Sequence, residues 1–139
     1  MSDLIRFGVS LNSKLLKQFD SLIEKEGYKN RSEAIRDLIR ERLISEEWRD
    51  DDKETVGVFS LVYDHHKRDL TKHLNSIQHK YLEVIKSSTH LHIDHDNCLE
   101  VIILMGKSKD IRKVSDLLAS TKGIKHGKLI MTSKGTDIE

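Results

Sequence analysis

Two histidines one residue apart, followed closely by the chain's single cysteine, are the side chains best placed to do chemistry. They are His90, His92 and Cys98, within the run Thr89-His-Leu-His-Ile-Asp-His-Asp-Asn-Cys-Leu-Glu100. In such an alternating run His90 and His92 take one face of a strand about 7 Å apart, which is chelating distance for a single ion. A turn at His95-Asp96-Asn97 pairs Asp94 with Cys98 and brings the thiol to the same face, because cross-strand partners share a face. Two imidazoles and a thiolate suit Ni(II), Zn(II) or Cu(II), and they are one ligand short of a closed four-coordinate site. The fourth must come from elsewhere, and His65, His66, His73, His79, His95 and His126 are the candidates. Glu100 shares the ligand face and suits the role of acceptor for an imidazole N–H. Leu91, Ile93, Leu99, Val101 and Ile103 are then expected to line the core on the opposite face. That leaves the ligands on the side of the sheet away from the core, free to meet another subunit. A metalloenzyme is the rival reading, but four protein ligands leave no open position, and no nucleophile or acid–base pair accompanies the set.

The elements that must hold this hairpin follow from periodicity. Thr55 to Tyr63 reads as a buried strand, and a polar helix from about Asp64 to Lys80 carries Leu70, Leu74 and Ile77 on one side. The hairpin itself consists of a strand through Ile93 and another from Cys98 to Met105. Ser108 to Ser120 is amphipathic, with Ile111, Val114, Leu117 and Leu118 inward; Gly123 ends it, and Lys125 to Thr132 makes the last strand. The order β-α-β-β-α-β is the ferredoxin-like split βαβ, with both helices on one face of a four-stranded antiparallel sheet. This layout resembles the ACT domain of regulators, which uses the open face and edges for oligomerisation and ligand sensing. A regulator of another ligand, an amino acid or a different metal such as Zn or Cu, is therefore the alternative function.

Upstream, Leu4 to Leu11 alternates so that Phe7, Val9 and Leu11 take one face of a short strand and Arg6, Gly8 and Ser10 the other. A helix starting at Asn12 or Ser13 carries Leu15, Leu16, Phe19, Leu22 and Ile23 and stops at Gly27. A second begins at Asn30-Arg31-Ser32-Glu33, a capping-box pattern, with an apolar stripe from Ala34 to Ile44. A lone strand leaves its ladder groups unpaired, which a dimer would remedy. This order, with Gly27-Tyr-Lys-Asn-Arg-Ser-Glu-Ala-Ile-Arg36, resembles the ribbon-helix-helix family of DNA-binding dimers. The resemblance implies an antiparallel ribbon in the major groove, with Arg6, Gly8 and Ser10 facing the bases. Asn30, Arg31 and Ser32 would then hold a phosphate at the start of the second helix. Gly8 has no side chain to read a base with, and so departs from the family's pattern.

Ser45 to Glu54 carries six acids against two bases and no hydrophobic period, and reads as the end of the second helix running into a solvated linker. The expected architecture is thus α+β: a ribbon-helix-helix (βαα) domain over residues 1–50 joined to a ferredoxin-like, ACT-like (βαββαβ) domain over residues 51–139. The formal net charge is +1, so any DNA surface must be local. One cysteine fits a thiol-preserving cytoplasm, and no apolar run approaches the roughly 20 residues of a membrane span.

Gln78-His79 upstream of His-x-His, and a cysteine before Leu-Glu, make the whole chain similar to the nickel-responsive repressor family. Tyr63-Asp-His-His-Lys-Arg-Asp-Leu70 and Gly123-Ile-Lys-His-Gly127 extend the likeness. The resemblance implies one Ni(II) per subunit, bound by His90, His92 and Cys98 of one subunit and His79 of another in a homotetramer, a dimer of dimers. It also implies Gln78 and Glu100 behind the ligands, repression of nickel uptake genes, and binding to a palindromic operator in double-stranded DNA. Glu33 and Asp37, one turn apart on the second helix, match the family's weaker cation site, and Asp64, His65 and His66 could hold further metal.

Overall fold

The computed structural model describes residues 3–139, which fold as two compact units, Met1–Glu41 and Arg42–Glu139. Among the described residues the elements are α1 (Ser13–Lys25), α2 (Arg31–Glu47), β1 (Glu54–Asp64), α3 (Arg68–Lys80), β2 (Ile85–His92), β3 (Asn97–Lys107), α4 (Ser108–Ala119) and β4 (Ile124–Thr132).

In the first unit the two helices start where the capping residues stand. Asn12 Oδ1 accepts from the Leu15 amide at 2.8 Å, and Asn30 Oδ1 from the Glu33 amide at 2.9 Å. Gly27, at φ +85°, stops α1 in the left-handed region, and the Tyr28 amide then closes on the Ile23 carbonyl at 3.0 Å. The strand expected over residues 4–11 is not formed in the single chain, where residues 3–11 belong to no ladder. A strand needs another strand's donors and acceptors, and this unit has none to offer. Leu4, Ile5, Phe7 and Val9 are correspondingly exposed.

The second unit is the βαββαβ arrangement expected, with antiparallel strands in the order β2-β3-β1-β4. Phe59, Leu61 and Tyr63 of β1 and Ile102 and Leu104 of β3 meet Leu70 and Leu74 of α3 and Ile111, Val114 and Leu118 of α4 in one core. The first helix here starts at Arg68 rather than Asp64. The Asp64 side chain instead accepts from the His66 amide at 2.9 Å and holds a turn.

The core lies on the other face of the hairpin from the one expected. Cys98, Glu100, Ile102 and Leu104 point under the helices, while Leu91 is 60% and Ile93 53% exposed. From Val101 to Met105 both faces of β3 are apolar, so alternation alone could not say which face the helices cover. Leu91, Leu99, Ile103, Val58, Val62 and Ile130 instead share the uncovered face.

The acidic stretch is not a solvated linker. Trp48 is buried, its Nε1 donating to the Thr132 carbonyl at 2.8 Å, and Ile44 packs beside it on the core. Gly57 makes room for the indole, since a Cβ there would stand 3.0 Å from Ile111 Cγ2 and 3.3 Å from Trp48 Cη2. The carbonyls of Lys53 and Asp51 accept from the first amides of α4, Ser108 at 2.9 Å and Lys109 at 3.2 Å, and Ser108 Oγ donates to the Asp50 carbonyl. Arg112 donates to the Trp48 carbonyl and, at 2.5 Å, to Asp51, while Lys109 pairs with Asp52 at 3.0 Å.

Candidate metal centre

Register places the donors. His92 lies opposite Cys98 and His90 opposite Glu100 on β2 and β3, and Tyr63 lies opposite Cys98 on β1. The pairing is shifted by two residues from the one expected: the turn is wider, closing with the amides of Ile93 and Asp94 on the Asn97 carbonyl. A two-residue shift preserves the face, so His90, His92, Cys98 and Glu100 are on one side as expected. Cys98 is 2% exposed, and its Sγ lies 3.9 Å from His90 Nδ1.

Glu100 is the electrostatic centre of this end of the sheet. Its fully buried carboxylate accepts from Tyr63 Oη at 3.0 Å, Gln78 Nε2 at 2.7 Å and Ser88 Oγ at 2.6 Å, with His90 Nε2 at 3.4 Å. These donors offset the cost of holding a carboxylate away from water. A proton on His90 Nε2, toward Glu100, leaves the Nδ1 lone pair beside the thiol, the tautomer a metal ligand needs. Burial, and then the Glu100 charge, pushes the Tyr63 phenol well above its usual value, so it stays a donor. Gln78 and Glu100, both expected behind the donors, are joined directly to each other. Tyr63 and Ser88 were missed, although Ser88 stands two residues before His90 and is on its face by alternation.

The donor chemistry fits a divalent transition metal: a buried thiol, a ring nitrogen 3.9 Å away, and a second histidine across the ladder. The set is not closed within one chain. The His92 ring stacks edge-on against His65 at 4.5 Å, and His79, at the end of α3, lines a cavity with Tyr81, Asp110 and Lys113 rather than with the hairpin. Asp64, His65 and His66 do not bring their donor atoms all within 4.8 Å of one another, although the His65 and His66 ring centroids are 4.2 Å apart. Among the described residues, His66, His95 and Asp96 are the set whose donor atoms all lie within 4.8 Å of one another.

In the first unit, Arg31 forms a two-pronged pair with Asp20 at 2.8 Å on each arm, which holds the Asp20 carboxyl below its usual range. The Asn30 side chain caps α2. Asp37 accepts from Tyr28 Oη at 2.7 Å and Arg40 at 3.0 Å, while the structure gives Glu33 no side-chain bond to it. Arg6, Gly8 and Ser10 lie in the exposed N-terminal segment, and a Cβ on Gly8 would meet nothing within 4 Å.

An N-terminal segment in no ladder and two capped helices, followed by a split βαβ sheet with a buried thiol beside an imidazole, make up a two-part protein with a donor set suited to a transition metal. Residues 5–46 match the model of ribbon-helix-helix proteins of the copG family, and residues 56–132 match that of the NikR C-terminal nickel binding domain. Proteins assigned as nickel-responsive regulators align over the full length. That of Nitratidesulfovibrio vulgaris is 53% identical over 99% of this chain and 99% of its own. That of Pyrococcus furiosus is 51% identical over 97% and 98%. The solved structure of an uncharacterized protein from Thermotoga maritima shares the fold, with a TM-score of 0.50 at 14% identity, over 55% of this chain and 95% of that one. The chain belongs to the nickel-responsive regulator family, whose members regulate transcription through a DNA-binding and a nickel-binding domain. No helix among the described residues is long and apolar enough to cross a membrane.

Proposed function

We propose that this protein is a nickel-dependent repressor of nickel uptake genes, which holds one Ni(II) per subunit between subunits of a cytoplasmic homotetramer and binds a palindromic operator. The observation that carries the reading is the buried Cys98 thiol 3.9 Å from His90 Nδ1, in a set that one chain leaves incomplete. His90, His92 and Cys98 would bind from one chain and His79 from a second copy, while Glu100 and Gln78 orient His90 from behind. Bound Ni(II) supplies a centre at which thiolate and imidazoles of two copies meet. The uncovered apolar face of the sheet supports assembly, since a surface of that kind marks an interface. Arg6 and Ser10 would read bases from a ribbon formed by two N-terminal segments, with Gly8 allowing close approach. The amides from Asn30 to Ser32 would hold a phosphate, with Arg31 moving between Asp20 and that phosphate. Glu33 with Asp37, and Asp64 with His65 and His66, remain proposed secondary cation sites.

Titration with Ni(II) tests the reading. A thiolate-to-metal charge-transfer band saturating at one equivalent per chain is expected, and it should vanish in Cys98→Ser. His79→Ala should weaken nickel binding by at least the roughly tenfold that losing even a group behind a ligand causes. Unchanged affinity in that variant would sink the bridging arrangement. Operator affinity with nickel should also fall steeply as salt rises.

A further inference from the structure

We infer that Asp20, on α1, sets how tightly the first unit holds a nucleic-acid backbone, by occupying the Arg31 guanidinium with its own carboxylate. The inference rests on the reading above, in which the start of α2 meets a phosphate. Arg31 is the first residue of α2, directly after Asn30, whose side chain caps the helix through the Glu33 amide. A guanidinium there can take either of two anions, and within the chain it has taken Asp20. Arg31 Nε donates to Oδ1 and Nη2 to Oδ2, both at 2.8 Å. A phosphate is gripped by the same two-pronged geometry, so carboxylate and phosphate compete for one donor edge.

The surroundings make Asp20 the exception. A cavity of about 880 Å³ in this unit takes its polar lining from Arg6, Ser10, Arg31, Ser32 and Arg36, which are three guanidinium groups and two hydroxyls with no carboxylate among them. Such a lining suits a polyanion. Asp20 stands outside the lining and cancels one of its three charges. The side chains of Arg31 and Asp20 are 56% and 41% exposed, so the pair is open to exchange, and an exposed pair is weak enough for a phosphate to displace. Displacement still forfeits the pair and leaves a carboxylate beside the nucleic acid. Asp20 therefore holds down the sequence-independent part of binding, which phosphate contacts supply, and leaves a larger share of the decision to base contacts.

The test uses the full-length, nickel-loaded protein and a fluorescein-labelled DNA duplex of random sequence, titrated by fluorescence polarisation at several potassium chloride concentrations. Asp20→Asn keeps an acceptor oxygen but removes the charge. It should tighten binding by about two- to fivefold for each α2 start that reaches a phosphate, the range an exposed ion pair is worth. The slope of log affinity against log salt should steepen by about one for each Arg31 released. Placed in an Arg31→Ala background, the same exchange should lose most of its gain. Unchanged or weaker binding in Asp20→Asn would overturn the proposal, weaker binding because Asp20 then orients Arg31 for the phosphate. So would a shift in thermal midpoint with no change in salt slope, or a gain that persists undiminished without Arg31. If Arg31→Ala alone costs no affinity, the backbone contact at α2 fails and the proposal fails with it. If Arg31→Ala weakens binding while Asp20→Asn does not strengthen it, only the restraint by Asp20 fails.

Discussion

Glu100 concentrates the most at the scale of single residues, since one buried carboxylate receives Tyr63, Gln78 and Ser88 and lies beside His90. Removing the acceptor in Glu100→Ala strands buried donors, each costing about 1–3 kcal/mol, and the thermal midpoint should fall accordingly. Glu100→Gln keeps the shape but places an amide nitrogen among donors. Nickel affinity, measured by chelator competition, should drop by about 10- to 100-fold with little loss of fold. That Glu100 shares a face with His90, His92 and Cys98 was legible in the sequence, because parity along a strand survives a register shift of two. What parity could not supply was the partner list. Tyr63 stands far from Cys98 in sequence, and only the β1–β3 register sets it opposite the thiol.

At the scale of elements, two connections carry the second unit's precision. The β2–β3 turn depends on Asp94, whose carboxyl is held below its usual range by the Asn97 side chain and then by the amides of Asn97 and Asp96. A carboxylate with a depressed folded-state value contributes stability that is full above the unfolded value and lost as pH falls through the folded one. The Asn97 amide shift should therefore titrate with a midpoint below that of an exposed aspartate, and Asp94→Ala should abolish that titration. The segment from Trp48 to Lys53 is the other connection. Trp48→Ala should destabilise the second unit by about 3–5 kcal/mol, read from denaturant unfolding, because it empties a closed cavity over Gly57. Six acids in ten residues look like a solvated linker, and the sequence carried no sign that their backbone carbonyls would meet the first turn of α4. Helix boundaries with caps, by contrast, were legible: Asn12, Asn30 and Gly27 act locally and need no tertiary partner.

At the scale of the whole molecule, several surfaces lack covering within one chain. The N-terminal segment has no ladder partner, one sheet face exposes Leu91, Ile103 and Ile130, and the donors of the thiolate site stop short of four. Sequence pattern gave the order of elements and the need for a partner. It misassigned the covered face, because β3 is apolar on both sides, as a strand buried by a helix layer and by a second molecule would be. Ile103→Glu, on the uncovered face, should leave the monomer folded and shift sedimentation equilibrium toward smaller species.

The docking of Asp50 to Lys53 on α4 has an electrostatic consequence as well as a mechanical one. A helix start flanked by Lys107, Lys109 and Arg112 would ordinarily attract phosphate. Here the chain's own carbonyls occupy the leading amides, and Asp51 and Asp52 neutralise the flanking cations. The start of α4 is thereby closed to polyanions by the chain itself.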